Sequence, residues 1–179
     1  MGLEGKRVAI LVEDQYQELE FWYPFYRLKE AGAEVRVVGT GRSDVFKSKL
    51  GYPAPADLAA SDAKVDEFDA VIIPGGYAPD LMRRSADMVR FVHDMDGARK
   101  TVAAICHAGW MLVSARIVAG RRATCFSSVR DDLEAAGANW VDEPVVVDGN
   151  LVTSRMPQDL PDFCRAIIET LTRAPAAVG

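Results

Sequence analysis

Thr101-Val102-Ala103-Ala104-Ile105-Cys106-His107-Ala108-Gly109 is the stretch from which the fold is read. Thr101 to Ile105 is a short apolar run without polar alternation, as in a strand covered on both faces, and a helical pattern from about His107 to Ala115 follows at once. The same unit recurs along the chain. Lys6 to Val12 (KRVAILV) precedes a helix from about Gln17 to Ala31, stopped at Gly32, and Glu34 to Gly39 is a second strand. Ala70 to Ile73 ends in Pro74-Gly75-Gly76 and is followed by a helix from about Ala86 to Asp96. A short strand at Ala123 to Phe126 leads to a helix from Val129 to Ala136, stopped by Gly137. Val145 to Val147 and Leu151 to Ser154 flank Asp148-Gly149-Asn150 as a hairpin, and an amphipathic helix runs from about Leu160 to Leu171. This alternation predicts an α/β fold, a mostly parallel sheet with helices on both faces. In the first helix Leu19, Trp22, Tyr23, Tyr26 and Leu28 read as the inward apolar face, with Pro24 as a kink or a late start. From Thr40 to Asp69 only short strands are expected, near Val45 to Lys49, because Pro53 and Pro55 prevent long ones.

Composition narrows the class. The chain has 179 residues, 21 Lys+Arg against 26 Asp+Glu, and 49% hydrophobic residues, which suits one soluble domain over 1–179. Net charge −5 without a Lys/Arg run argues against nucleic acid and anionic membrane as partners. The longest uncharged apolar stretch, Thr101 to Val113, is too short to span a bilayer, and Met1 to Val12 lacks a signal-peptide pattern. Cys106, Cys125 and Cys164 have no metal-ligand spacing, so no metal is expected, and they read as free thiols in a reducing, cytoplasmic setting. Gly39-Thr40-Gly41 lacks the third glycine of a dinucleotide fingerprint, and no cofactor is expected.

Ligands of open α/β sheets sit beyond the carboxyl ends of the strands. That rule selects Glu13 to Glu20, Gly39 to Ser43, Pro74 to Asp80 and Cys106 to Trp110. Cys106 leaves a strand for a helix between the small residues Ala104 and Ala108, as at a nucleophile elbow. The helix end behind it is expected to lower its pKa, and the His107 amide to face an oxyanion. On the residues alone a small buried apolar Cys106 reads equally well. Glu20 reads as a first-turn acid complementing the helix dipole, Asp80 as a turn or cap residue, and Gly75-Gly76 as a need of backbone shape. His93 reads as a solvated helix residue, and Cys125 and Cys164 as core. His107 is expected to approach the thiol only from the side, its orienting carboxylate coming from another loop or subunit.

Four segments resemble the ThiJ/PfpI superfamily, specifically its PfpI branch of intracellular cysteine proteases and stress proteins. They are Leu19-Glu20-Phe21-Trp22-Tyr23-Pro24 with Arg27 to Gly32, Ile73-Pro74-Gly75-Gly76-Tyr77-Ala78-Pro79-Asp80, Ala104-Ile105-Cys106-His107, and Arg130-Asp131-Asp132-Leu133 through Gly137 to Asp142 and Val145 to Pro157. The resemblance implies a flavodoxin-like three-layer sandwich that assembles into dimers and often hexamers. It implies Cys106 as nucleophile, His107 as its neighbouring base, and Glu20 as a protonated carboxyl group touching a thiolate. Asp80 would reach the histidine of a neighbouring subunit, and the amides of Gly76 and His107 would hold an oxyanion beside Gly75 and Phe126. The chain departs from the branch at Ala108-Gly109, where Gly-Pro is usual. Ser127 replaces a proline, Gln17 replaces an acid of some relatives, and Phe126 replaces a tyrosine or, in human-type deglycases, a histidine. The first expectation is therefore a cysteine-dependent hydrolase of peptides or amides. The alternatives are a cofactor-free glyoxalase or deglycase acting on small dicarbonyls, and a non-enzymatic redox sensor that oxidises Cys106.

Overall fold

The computed structural model describes residues 2–173; Met1 and 174–179, the ends of the expected 1–179 domain, lie outside the described residues. The elements in order are β1 (Arg7–Val12), α1 (Glu18–Glu30), β2 (Glu34–Gly39), β3 (Val45–Lys47), β4 (Pro53–Pro55), β5 (Leu58–Ala59) and β6 (Ala70–Ile73). They continue with α2 (Ala78–Met82), α3 (Ala86–Gly97), β7 (Thr101–Ile105), α4 (Gly109–Ser114), β8 (Arg122–Ala123) and α5 (Arg130–Ala135). The chain then forms β9 (Asn139–Trp140), β10 (Val145–Asp148), β11 (Leu151–Ser154) and α6 (Leu160–Thr172).

Seven strands make the main sheet in the order β10-β11-β7-β6-β1-β2-β5. All pairs are parallel except the β10–β11 hairpin, so the α/β expectation holds. β6, β7 and β11 are buried at every position, which is why their sequences show no polar alternation. α1 packs against α6, while α4 packs against α2, α3 and α5. β7 lies between β6 and β11, with Ile73 opposite Ala104 and Ser154 opposite Ile105. Cys106 therefore leaves the sheet near its middle, at the carboxyl end.

The structure departs from the sequence reading in several places. The inward residues of α1 are Glu20, Phe21, Pro24 and Leu28, whereas Leu19 is 56% and Tyr26 62% exposed. The helix carries two apolar stripes, and periodicity alone does not say which faces the sheet. Gln17 caps α1 by accepting from the Glu20 amide at 2.9 Å, and the helix runs through Pro24 as one segment. Pro24 has no N–H to offer the Glu20 carbonyl, but its ring is buried. The strand expected at 123–126 is only Arg122–Ala123, because the Thr124 amide turns to the Thr153 hydroxyl at 2.9 Å. α2, β4 and β9 are too short to produce a periodic signal.

Candidate active site

β7 ends at Ile105, and at Cys106 the backbone turns through φ 63°, a left-handed conformation that costs a non-glycine residue about 1–3 kcal/mol. A 3-10 turn over Cys106–Ala108 joins the strand to α4, and Ala104 and Ala108 are buried against it. The turn lifts the Cys106 side chain off the sheet, leaving it 7% exposed. The amides of His107 and Gly76 interact with the sulfur.

Glu20 lies under this turn with no exposed surface. Its Oε2 accepts from the Gly75 amide at 2.9 Å, and its carboxyl group interacts with the Cys106 thiol. Burial pushes the Glu20 carboxyl up to about 7, against the opposing pull of the thiol and the Gly75 amide. Glu20 is thus an inward acid and not the exposed first-turn acid of the alternative reading. The expected lowering of the thiol pKa is not what the geometry produces. Burial and then the charge on Glu20 push the Cys106 thiol up, and the amides of His107 and Gly76 oppose them. The helix behind the sulfur is a single 3-10 turn and the short α4, so its dipole is weak. Two buried acids in contact do not both ionise, so the pair carries at most one negative charge near neutrality.

A stability test follows from Glu20. Its folded pKa of about 7 stands above its ordinary 4.5, so the native state holds the proton more tightly than the unfolded chain. The contribution of Glu20 to stability is then fully present below pH 4.5 and is lost as pH rises through 7, by roughly 3 kcal/mol for that shift. Urea unfolding of Glu20→Gln will lack this decline between pH 5 and 8. Parallel pH curves for the variant and wild type would contradict the protonated carboxyl.

Gly75 and Gly76 fit where side chains do not. A Cβ on Gly75 would meet Glu20 Oε2 at 2.5 Å, Cys106 Cβ at 2.8 Å and the Ile105 carbonyl at 3.0 Å. Gly76 has φ +76°, and a Cβ there would meet Gln15 O and Gln17 N at 2.6 Å. The Gly75 carbonyl accepts from Gln17 N at 3.2 Å and the Gln15 carbonyl from Tyr77 N at 3.0 Å, which ties the glycine loop to the start of α1.

His107 is closer to the thiol than adjacency suggested. Its Nδ1 lies 3.2 Å from Cys106 Sγ, because the left-handed turn swings the two side chains to one side. Burial lowers the His107 pKa, so the ring is neutral at pH 7. Phe126 stacks on the imidazole at 5.0 Å and 22°, and Trp110 meets it edge-on at 5.2 Å. Phe126 therefore supports the base, and its own amide bonds to the Cys106 carbonyl at 3.2 Å. The far nitrogen, Nε2, lies 3.3 Å from Ser128 Oγ. Sequence reading missed Ser128, and gave Trp110 no role beyond closing the segment Cys106 to Trp110. Asp80 stands in α2, where its carboxylate interacts with the Tyr77 hydroxyl. Among the described residues it makes no hydrogen bond to His107 within the chain. Cys125 and Cys164 are buried core residues, as read.

The sequence profile of the DJ-1/PfpI family matches residues 6–170. The chain belongs to the DJ-1/PfpI family. A deglycase of Pyrococcus abyssi is 44% identical over 165 residues, covering 92% of this chain and 99% of that protein. Deglycase PfpI of Pyrococcus furiosus is 38% identical over the same length, with 92% and 99% covered. Among solved structures, a two-domain protein of Anabaena variabilis with DJ-1/ThiJ/PfpI-like and ferritin-like domains superposes with TM-score 0.91 at 45% identity. The match covers 93% of this chain and 48% of that longer one. The sheet and its surrounding helices are those of the flavodoxin-like DJ-1/PfpI fold.

Proposed function

We propose that the chain is a cysteine-dependent enzyme of the deglycase type, acting without a cofactor on reactive dicarbonyls and their adducts. The observation that carries this reading is the trio of a thiol, a neutral imidazole at 3.2 Å and a proton-bearing carboxyl group buried beside the sulfur. Addition of the thiol to the aldehyde of a 2-oxoaldehyde forms a C–S bond while the thiol proton passes through His107 to the carbonyl oxygen. Moving the carbon-bound proton from the first carbon to the second, and the hydroxyl proton from the first oxygen to the second, then gives a 2-hydroxy thioester with no external oxidant, and water releases the 2-hydroxy acid and the thiol. Each step needs a group that both gives and takes a proton, and Glu20, at about 7, is matched to that work. The names of the two Pyrococcus relatives support this choice over the peptidase expectation.

Hydrolysis of peptides or amides is the second reading, favoured by the Cys106–His107 contact and by the amides of Gly76 and His107 beside the sulfur. Parallel assays on methylglyoxal, on its amine and thiol adducts, and on fluorogenic peptides decide between them. Turnover of the carbonyl substrates is expected; turnover of peptides alone would overturn the deglycase reading. A second copy of the chain is the proposed partner, supported by the outward apolar residues Leu19, Tyr23 and Tyr26 of α1. Asp80 would then approach a neighbour's site from α2. Sedimentation of the same preparation is expected to show an assembly, and a monomer would sink that proposal.

A further inference from the structure

We propose that Ser128 is the positioning residue of the site: its hydroxyl accepts from Nε2–H of His107, fixing the tautomer whose Nδ1 can take the Cys106 proton. This inference rests on the cysteine chemistry proposed above, and deepens it by saying what orients the base.

The geometry is a line of three groups from two loops. Sγ of Cys106 lies 3.2 Å from Nδ1, and Oγ of Ser128 lies 3.3 Å from Nε2, on opposite sides of one ring. A neutral imidazole carries one proton, so the two nitrogens are not interchangeable: a thiol S–H needs a bare acceptor, which places the proton on Nε2 facing Ser128. The ring cannot easily turn over to exchange them. It is held between Phe126, stacked at 5.0 Å, and Trp110, edge-on at 5.2 Å. Trp110 is itself anchored by its Nε1–H donating to Asp132 at 3.2 Å.

Ser128 is also well placed on its own backbone. It sits in the 3-10 turn Ser127–Val129, whose entry residue Phe126 donates its amide to the Cys106 carbonyl. The loop that carries the hydroxyl is thus tied to the residue that carries the sulfur. A hydroxyl of the same chain thus faces the ring nitrogen that lies away from the sulfur. A neutral partner orients the ring without adding charge, so the imidazole remains neutral and ready to accept a proton.

The test uses Ser128→Ala, Ser128→Thr and Asp80→Asn in the full chain. Nitrogen-15 spectra of His107 in wild type at pH 7 are expected to show the Nε2–H tautomer, and Ser128→Ala is expected to mix the two forms. The rate of Cys106 alkylation by iodoacetamide, followed by peptide mass spectrometry, should fall about tenfold in Ser128→Ala, the low end of what losing the hydrogen-bond partner of a metal-ligating histidine costs. The hydroxyl of Ser128→Thr should restore both readings. Ser128 is exposed, so Ser128→Ala should keep its fold, and its melting curve verifies this. An Nδ1–H tautomer or a doubly protonated ring in wild type would overturn the proposal. So would unchanged spectra and rates in Ser128→Ala, a failure of Thr to rescue, or a loss seen only in Asp80→Asn. These readings are made on the protein itself, so they stand apart from the substrate assays, whose failure would instead overturn the deglycase reading.

Discussion

Cys106→Ala will abolish turnover of methylglyoxal and of its adducts, with a loss of at least about 10³-fold, the scale on which deleting a covalent nucleophile acts. The reasoning begins with the sulfur. It is the atom on which the Gly76 and His107 amides, the Glu20 carboxyl and His107 Nδ1 converge. Without it these groups face a gap with nothing to add to a carbonyl, and neither His107 nor Glu20 replaces it from its position. The fold should survive. Alanine keeps a side chain at φ 63°, and the deletion removes one nearly buried atom, so stability should stay within about 1 kcal/mol of wild type. Glu20 also loses a neighbour with which it competes for a proton. Steady-state rates together with a urea midpoint make the measurement. A folded variant keeping more than about a tenth of wild-type turnover, a barrier change of under about 1.4 kcal/mol, would remove Cys106 from the chemistry.

Gly75→Ala will damage stability and activity together. The added Cβ would stand 2.8 Å from Cys106 Cβ and 3.0 Å from the Ile105 carbonyl, both fixed by the strained turn. The third contact, at 2.5 Å, is Glu20 Oε2, which moves only by breaking its bond from the Gly75 amide. Overpacking of this kind costs about 1–3 kcal/mol. The shift it forces separates the carboxyl group from the thiol, and displacement of about 1 Å in a catalytic arrangement reduces turnover about 10²-fold. Gly97→Ala is the control. A Cβ there meets nothing within 4 Å, and at the end of α3 it should be neutral or stabilise by up to about 1 kcal/mol. If Gly75→Ala matches Gly97→Ala in melting temperature and rate, the close packing at Gly75 has no functional consequence.

The parts of the site legible in the sequence were those carried by short continuous segments. The elbow could be recognised because β7, Cys106 and the small residues on either side lie within the eight residues Thr101–Ala108. The double glycine after β6 could be recognised for the same reason. Glu20 was legible only through family resemblance, because helical periodicity placed Leu19, Trp22, Tyr23, Tyr26 and Leu28 inward. The structure keeps Leu28 buried and Trp22 partly packed on the core, turns Leu19, Tyr23 and Tyr26 outward, and buries an acid. An amphipathic pattern measures where apolar groups fall, and a carboxyl group held by a backbone amide and a thiol does not register in it. Ser128 was not legible at all. It lies 21 residues from His107, in a turn without a motif.

By itself the sequence determined the layered α/β architecture, the seat of Cys106 at the end of a buried strand, and the glycines that allow close approach. These depend on local periodicity, turn chemistry and residue size, which neighbours along the chain decide. Only the tertiary structure decided protonation and orientation. It placed Glu20 against the sulfur, pushed its carboxyl toward neutrality by burial, and clamped His107 between Phe126, Trp110 and Ser128. Desolvation and hydrogen-bond direction are set by groups far apart in the chain, so they exist only once the chain has folded.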